Sequence, residues 1–231
     1  MVRGKLPAGQ GQSSAVGGAG GGWVRDAGEE SAPLSRIQRM NRERILDAAL
    51  DAFSERGFSG ATLDRIAEIA GLSKPNLLYY FASKEAIHAA LLTELLETWL
   101  APLAQLDPEG HPRAELLAYV SRKLRMSRDM PRESRLFASE IFQGAPRLGD
   151  TLAGPLKRMV DDKAAVIARW QAEGRLTPDL DPHHLVMSVW ALTQHYADFE
   201  VQARAVLGPE RDPWAEAEGF LAAFYGRVLA R

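Results

Sequence analysis

Apolar positions recur every three or four residues along most of the chain after residue 44, which is the spacing of one face of an α-helix. Between Thr62 and Phe81 this pattern divides into two short segments. The apolar face of the first segment consists of Leu63, Ile66, Ala67 and Ala70. Thr62 can cap its start, and Gly71 can end it because glycine tolerates the left-handed backbone of a sharp turn. The pattern therefore predicts two short helices joined by a tight turn.

The second short helix, which Ser73 can cap, presents polar and aromatic side chains. Leu77 and Leu78 supply its apolar contacts, whereas its other side chains include Lys74, Asn76, Tyr79 and Tyr80. A helix packed only in a core would gain little from such a surface, which disfavours the interpretation as a plain helical hairpin. In a helix-turn-helix, the N-terminal residues of the second helix approach base edges in the major groove of DNA. The pattern favours such a DNA-reading device.

Helices are also predicted on both sides of this pair. Residues 44–58 repeat apolar side chains at four-residue spacing, and Ser83 can cap a further helix that begins at Lys84. Thr62 and Lys84 lie at helix starts, where unpaired backbone N–H groups favour phosphate. The predicted DNA-contacting residues are Thr62, Ser73, Lys74, Pro75, Asn76, Tyr79, Tyr80 and Lys84.

The rest of the chain also has a helical pattern, with Pro and Gly between segments and no alternating strand pattern. Helices are predicted at residues 84–106, 112–128, 132–143, 148–173, 181–207 and 213–230. A bend or an interruption is expected near Pro102, and a disturbance at Gly154 and Pro155. We therefore predict an all-α fold with three parts: a disordered Gly- and Ser-rich arm at residues 1–33, a three-helix head at 34–82, and a helical body at 83–231.

One helix of the predicted body carries polar and aromatic residues where a bundle interior should be apolar. Trp190, Gln194 and Asp198 lie about one helical turn apart and therefore share a face, which His195 borders. Two interpretations remain open: a hydrogen-bonded core network or dimer seam, and a ligand pocket. For the pocket, the candidate lining residues are Trp99, Glu140, Trp170, Trp190, Gln194, His195 and Asp198.

Composition and charge restrict the function further. The chain has no cysteine, which excludes disulfides, thiolate metal sites and cysteine nucleophiles. No apolar run approaches the roughly 20 residues that span a bilayer, so we expect a cytoplasmic protein without membrane contact. The net charge of -2 argues against indiscriminate coating of nucleic acid. A local basic surface at the entrance to the head is supplied by Arg36, Arg39, Arg42 and Arg44.

Neither catalysis nor a cofactor is expected. His195 and Asp198 need only be neighbours on a helix, and no serine nucleophile is placed with them. His183 and His184 are adjacent, so they point in different directions on a helix, and they lack a third metal ligand. The Gly-rich arm lacks the strand and helix context of a phosphate-binding loop.

Residues 44–92 resemble the DNA-binding domain of the TetR family of transcription regulators. The resemblance is carried by the order of a helix end in Gly-Phe, then TLDRIAEIAG, SKPNLLYYF and SKEA. Four segments, LLYYFASKEA, WLAPL, SRLFASEIFQGAP and WALTQHYADF, resemble a narrower group within this family, the RutR-type regulators of pyrimidine utilisation. This narrower resemblance extends from Arg42 to about Leu207, and the Gly-rich arm departs from it.

The resemblance implies a ligand-controlled repressor that binds double-stranded operator DNA as a homodimer. Uracil or thymine would bind in the body and release the DNA, and a different small molecule is the alternative. We expect the dimer to form through residues 181–207 and 213–230, where Phe220, Phe224 and Val228 supply an apolar face. The predicted helix at residues 84–106 would couple the ligand site to the head.

Overall fold

In the computed structural model, which describes residues 35–230, the predicted apolar faces are folded as helices. The helices are α1 Arg36–Gly60, α2 Leu63–Ala70, α3 Lys74–Tyr80, α4 Lys84–Ala104, α5 Pro112–Asp129, α6 Pro131–Phe142, α7 Gly149–Thr151, α8 Lys157–Ala172, α9 Pro182–Asp198, α10 Glu200–Leu207 and α11 Pro213–Val228. Residues 35–230 contain no strand, and the all-α prediction is confirmed. The arm predicted at residues 1–33 lies outside the described residues.

The helix starts of the head follow from hydroxyl caps that the sequence already indicates. In each case the hydroxyl accepts a hydrogen bond from a backbone N–H in the first turn: Thr62 from Arg65 (3.2 Å), Ser73 from Asn76 (3.3 Å) and Ser83 from Ala86 (3.1 Å). Gly71 ends α2 with a φ of 64°, the left-handed conformation that the turn requires. These local signals fix the position of α3 relative to α2.

The apolar core of the head is not closed by α1, α2 and α3 alone. Ile87, Leu91 and Leu92 of α4 are buried in the same cluster, as are Leu136 of α6 and Leu148. A second cluster, which includes Tyr119, Ile167 and Trp170, fills the body. Both α4 and α6 therefore extend from the head core into the body.

Three places along the chain test where the predicted helices are interrupted or continuous. Helix α4 is not interrupted at Pro102, because it runs two residues beyond this proline, which lies in the last turn and removes only one donor. The disturbance expected at Gly154 and Pro155 is confirmed as a π-helical turn, Leu152–Leu156. The single helix predicted at residues 181–207 is instead two helices, because the backbone of Phe199 leaves helical geometry between α9 and α10.

Among the described residues, 35–230, no helix combines the length and the apolar character needed to cross a membrane.

Candidate functional site

The first turn of α3 presents polar side chains to solvent. Lys74, Pro75 and Asn76 are exposed, and Tyr79 keeps 69% of its surface exposed. The Lys74 Nζ lies 3.0 Å from the carboxylate of Asp64 in an ion pair that is open to solvent. Exposed pairs of this kind contribute little to stability, so Lys74 can exchange this partner for an anionic ligand at small cost.

Both tyrosines of α3 accept hydrogen bonds from amides in the first turns of α1. The Gln38 Nε2 donates to the Tyr79 hydroxyl over 3.1 Å, and the Asn41 Nδ2 donates to the Tyr80 hydroxyl over 3.0 Å. The two tyrosine rings meet edge to face, with their centroids 5.1 Å apart. The sequence pattern did not single out these amides, because polar residues at the start of an amphipathic helix are common on any surface.

Lys84 has a structural partner that the sequence did not reveal. Its Nζ donates to the carbonyl oxygens of Phe58 and Ala61 over 2.8 and 2.9 Å, and it lies 4.4 Å from the centroid of the Phe58 ring. This side chain links the start of α4 to the end of α1, and the phosphate contact expected from the backbone N–H groups at Lys84 stays a prediction. Two of the head arginines are likewise engaged: Arg42 with Glu94 (2.6 Å) and Arg44 with the Ala70 carbonyl (2.7 Å).

The body contains a small cavity beside the polar face of α9. The cavity, of about 40 Å³, is lined by Leu96, Trp99, Leu100, Lys123, Phe137, Leu156, Trp190 and Gln194. These residues come from α4, α5, α6, the π-helical turn and α9. The structure thus brings together three predicted residues, Trp99, Trp190 and Gln194, and adds Lys123 and Phe137, which the sequence pattern did not indicate.

Two buried donors in this inner cavity have no hydrogen-bond partner among the described residues. They are the Lys123 Nζ and the Trp99 Nε1. Lys123 is only 2% exposed, and its Nζ lies 4.3 Å from the centroid of the Trp99 ring. Burial lowers the pKa of Lys123 to about 8, against the opposing effect of the Asp198 carboxylate. A buried ammonium and a buried indole N–H each favour an acceptor oxygen.

A larger pocket of about 340 Å³, the outer pocket, lies beside the inner cavity. It is lined by Phe137, Ala138, Ile141, Phe142, Trp190, Ala191, Gln194, His195, Asp198 and Phe199. Phe137, Trp190 and Gln194 line both spaces, so the two spaces are neighbours, and we call these three shared residues the partition. The two predicted residues His195 and Asp198 belong to the outer pocket.

The indole of Trp190 and the carboxylate of Asp198 are both held by neighbours. The Trp190 Nε1 donates to the Tyr119 hydroxyl over 2.7 Å, so its N–H already has a partner and only its ring is available to a ligand. The Ser134 hydroxyl donates to Asp198. Burial raises the pKa of Asp198, and the Ser134 hydrogen bond and the charge of Lys123 oppose that shift. Helix α9 therefore places the polar side chains of Gln194 and Asp198 at the outer pocket.

Two predicted pocket residues lie elsewhere. Trp170 is fully buried in the body core, where its Nε1 donates to the Pro108 carbonyl over 2.9 Å. Glu140 is 1% exposed and accepts hydrogen bonds from the backbone and side chain of Arg147, over 2.7 and 3.1 Å. Neither residue lines the inner cavity or the outer pocket. Their existing partners explain why they are buried, and we remove both from the candidate site.

Helix α6 connects the cavity to the head. Arg132 at its start reaches α1 through Asp51, over 2.5 Å, and Asp47, over 3.2 Å. At its other end, Arg147 pairs with Glu140 and lies 3.6 Å from the centroid of the Phe58 ring. Because Phe137 lies on the same helix, one wall of the cavity is tied at both ends to α1.

Two family models together match residues 45–227. Residues 45–91 match bacterial regulatory proteins of the tetR family, and residues 92–227 match the C-terminal region of YcdC-like proteins. The HTH-type transcriptional regulator RutR of Escherichia coli strain K12 is 49% identical over 187 residues, which cover 81% of this chain and 86% of RutR. The match therefore covers most of both proteins and includes parts of both the head and the body.

The fold is also found in solved structures of regulators. A transcriptional regulator from Streptomyces coelicolor has a TM-score of 0.66 and 27% identity, covering 83% of this chain and 99% of that one. GusR of Salmonella enterica, at a TM-score of 0.61 and 19% identity over 86% of this chain and 99% of GusR, shows the fold alone.

RutR, the matched tetR-family model and the Streptomyces coelicolor structure all describe transcription regulators, which shows that the chain is a regulator and not an enzyme. Regulators of this kind bind operator DNA, act as dimers and respond to small-molecule effectors. The shared matches over head and body establish that this chain belongs to the TetR family of transcription regulators.

Proposed function

We propose that this regulator is a repressor that binds uracil or thymine between α4, α5, α6 and α9, and that the bound base weakens its hold on operator DNA. The resemblance to regulators of pyrimidine utilisation and the 49% identity to RutR support the assignment. One structural observation carries the ligand assignment. Two donors without hydrogen-bond partners, Lys123 Nζ and Trp99 Nε1, belong to residues that line the same cavity as Trp190.

The chemistry of these groups complements an oxo-pyrimidine. Uracil and thymine are flat rings that present carbonyl acceptors and ring N–H donors. The ammonium of Lys123 can only donate, so it requires a carbonyl oxygen and disfavours an amino group at the same place. The amide of Gln194 can donate and accept, and the carboxylate of Asp198 can accept from a ring N–H. The indole rings of Trp99 and Trp190 supply flat apolar surface against the base.

The inner cavity must enlarge to hold a base. A space of about 40 Å³ has room for only a few water molecules. The partition residues Phe137, Trp190 and Gln194 line both this cavity and the outer pocket of about 340 Å³. We propose that the base enters from the outer pocket and displaces Phe137, which joins the two spaces. The displaced wall belongs to α6.

On the DNA side, we propose that α3 enters the major groove. Lys74 and Asn76, in its first turn, would lie near base edges, and the hydroxyls of Tyr79 and Tyr80 would donate to phosphates. The remaining predicted contacts, which would position the backbone, are Thr62, Ser73 and Pro75. The exposure of the first turn and of Tyr79 supports this placement.

Calorimetry tests the ligand assignment. Uracil and thymine are titrated into the full chain beside cytosine, adenine and an amino acid, and we expect heat of binding with the first two only. Trp190→Phe should weaken binding about tenfold or more, because it removes ring surface from the partition and the hydrogen bond to Tyr119.

Trp170→Phe is the matched control, since this tryptophan lies in the body core away from both spaces. It should lower the melting temperature without changing pyrimidine affinity. If neither uracil nor thymine binds, the ligand assignment is wrong, although the family assignment stands. If the two variants affect affinity equally, the base does not bind at the partition.

A further inference from the structure

We propose that Gln38 is a positioning residue for DNA binding, because its amide turns the hydroxyl proton of Tyr79 outward, toward a DNA phosphate. Gln38 lies on α1 before residue 45, where the match to the tetR-family model begins. The inference rests on the proposed placement of α3 against DNA and adds a residue that makes no contact with DNA itself. It acts through Tyr79.

The cap of α1 fixes the direction of the hydrogen bond between Gln38 and Tyr79. The backbone N–H of Ser35 donates to the Gln38 Oε1 over 2.8 Å, and a backbone N–H cannot accept. The carbonyl end of the Gln38 amide must therefore face Ser35. The NH₂ end is left facing the Tyr79 hydroxyl, 3.1 Å away. The Ser35 hydroxyl in turn accepts from the Gln38 backbone N–H, which completes a capping box.

Tyr79 is consequently the acceptor in this contact, and its own proton remains available. A phenolic hydroxyl has a single proton, and a phosphate oxygen only accepts, so a tyrosine must donate in order to bind phosphate. If the neighbouring group were an acceptor, the Tyr79 hydroxyl would donate its hydrogen bond to that group. Its lone pairs would then face the phosphate. Because Tyr79 is 69% exposed, its hydroxyl can donate outward without rearrangement of the head.

A second pair has the same arrangement one turn along α1. The Asn41 Nδ2 donates to the Tyr80 hydroxyl over 3.0 Å, and positions 38 and 41 share a face of the helix. The start of α1 thus contacts both tyrosines of α3 through amide donors. Gln38 carries the argument, since the backbone of Ser35 settles the orientation of its amide.

The test reverses the polarity of the contact while it preserves the cap. Gln38→Glu keeps an acceptor for the Ser35 N–H, but both carboxylate oxygens accept. The Tyr79 hydroxyl would therefore donate to this carboxylate and not to phosphate. Gln38→Glu, Tyr79→Phe and the double variant are measured by fluorescence anisotropy against the duplex that the wild-type chain selects from a random-sequence library. The double variant measures the effect of the added charge alone. Gln105→Glu, at the distal end of α4, places the same charge far from the head and is the matched control.

We expect Tyr79→Phe to raise the Kd for this duplex about tenfold. Gln38→Glu should raise the Kd at least about fivefold more when Tyr79 is present than when Phe replaces it. The salt dependence should be equal in the wild type and in Tyr79→Phe, because a neutral hydroxyl releases no counterion. Gln105→Glu should leave affinity unchanged.

Two results would overturn the inference. If Gln38→Glu raised the Kd equally with and without the Tyr79 hydroxyl, the added charge alone would explain its effect and the inference would be wrong. A tenfold rise in the Kd of Tyr79→Phe would still support the proposed interface. Unchanged affinity in Tyr79→Phe would remove both the inference and the role of Tyr79. Melting temperature and uracil calorimetry of each variant confirm that the head and the body remain folded, and failure of uracil to bind would concern only the ligand assignment.

Discussion

At the scale of single residues, Lys123 illustrates a conflict between stability and binding. Its ammonium is buried beside Trp99 and has no hydrogen-bond partner among the described residues. Burial lowers its pKa from 10.5 to about 8, so the unfolded chain holds this proton more tightly than the folded chain does. The resulting cost to folding is fully present below pH 8 and is relieved as the pH rises from 8 to 10.5. A bound carbonyl oxygen would offset the same cost.

Lys123→Met should therefore stabilise the protein and weaken pyrimidine binding. Methionine fills a similar volume without a charge, so we expect the melting temperature at pH 7 to rise by roughly 5 °C. The rise in melting temperature between pH 8 and 10.5 should be smaller in this variant than in the wild type. Pyrimidine affinity should fall at least about tenfold. Differential scanning calorimetry and titration calorimetry measure the two effects.

Lys157→Met is the control, because Lys157 is exposed and paired with Asp161 at the surface. It should change neither quantity much. A Lys123→Met variant that binds uracil as tightly as the wild type would contradict the role assigned to this lysine.

Single residues are also where sequence reasoning missed most. Lys123 lies in a segment, SRKLRMSRD, in which five of nine residues are charged, so the pattern is typical of a solvated helix face. Trp170 was a candidate because aromatic residues often line pockets, but a core also uses them, and the Pro108 carbonyl that satisfies its N–H is distant in sequence. Only tertiary contacts distinguish these two cases.

At the scale of elements, α6 has one face in the cavity and another on the head. Phe137 lines the partition, and Leu136 lies in the head core. Helix α4 also spans both regions, through Leu92 in the head core and Trp99 at the cavity, as the sequence predicted for a coupling helix. The structure adds α6 as a second connection, which has charged ties to α1.

Arg132→Ala should reduce the coupling between ligand and DNA without removing either activity. This arginine side chain is 39% exposed, so its pairs with Asp51 and Asp47 should contribute less than about 1 kcal/mol to stability. We expect uracil affinity to be nearly unchanged, whereas the factor by which uracil weakens operator binding should fall severalfold. Operator binding is measured with and without saturating uracil.

Arg128→Ala removes a similarly exposed arginine, paired with Asp129 on α5, and serves as the control. Its coupling should equal that of the wild type. Full coupling in Arg132→Ala would show that α6 does not transmit the signal through this pair.

The elements themselves were largely predictable from local signals. Hydroxyl caps at Thr62, Ser73 and Ser83 and the glycine at position 71 gave the order and limits of α2, α3 and α4. The break between α9 and α10 was not predictable, because no proline or glycine marks Phe199 and the apolar pattern continues across it.

At the scale of the whole molecule, the exposed face of α11 agrees with the predicted dimer. Phe220 and Phe224 are 54% and 37% exposed, and their rings stack with centroids 5.9 Å apart. Large apolar side chains at adjacent positions of a helix surface favour burial against a partner. Two heads must reach half-sites about one DNA turn apart, or a multiple of that, and this requires a two-fold body.

Phe220→Glu should separate the subunits. A carboxylate in a buried apolar interface is costly, so we expect light scattering at micromolar concentration to show a monomer, and operator affinity to fall at least about a hundredfold. Ala168→Glu on the exposed face of α8 adds the same charge outside the proposed interface and should remain dimeric. A dimeric Phe220→Glu would show that another surface joins the subunits.

The decisive experiment is to measure operator binding by the wild-type chain during a titration with uracil and thymine. Both bases should weaken binding at least about fivefold, adenine should not, and Lys123→Met should lose the response while it keeps operator affinity. Unchanged operator affinity at saturating uracil and thymine would contradict the account.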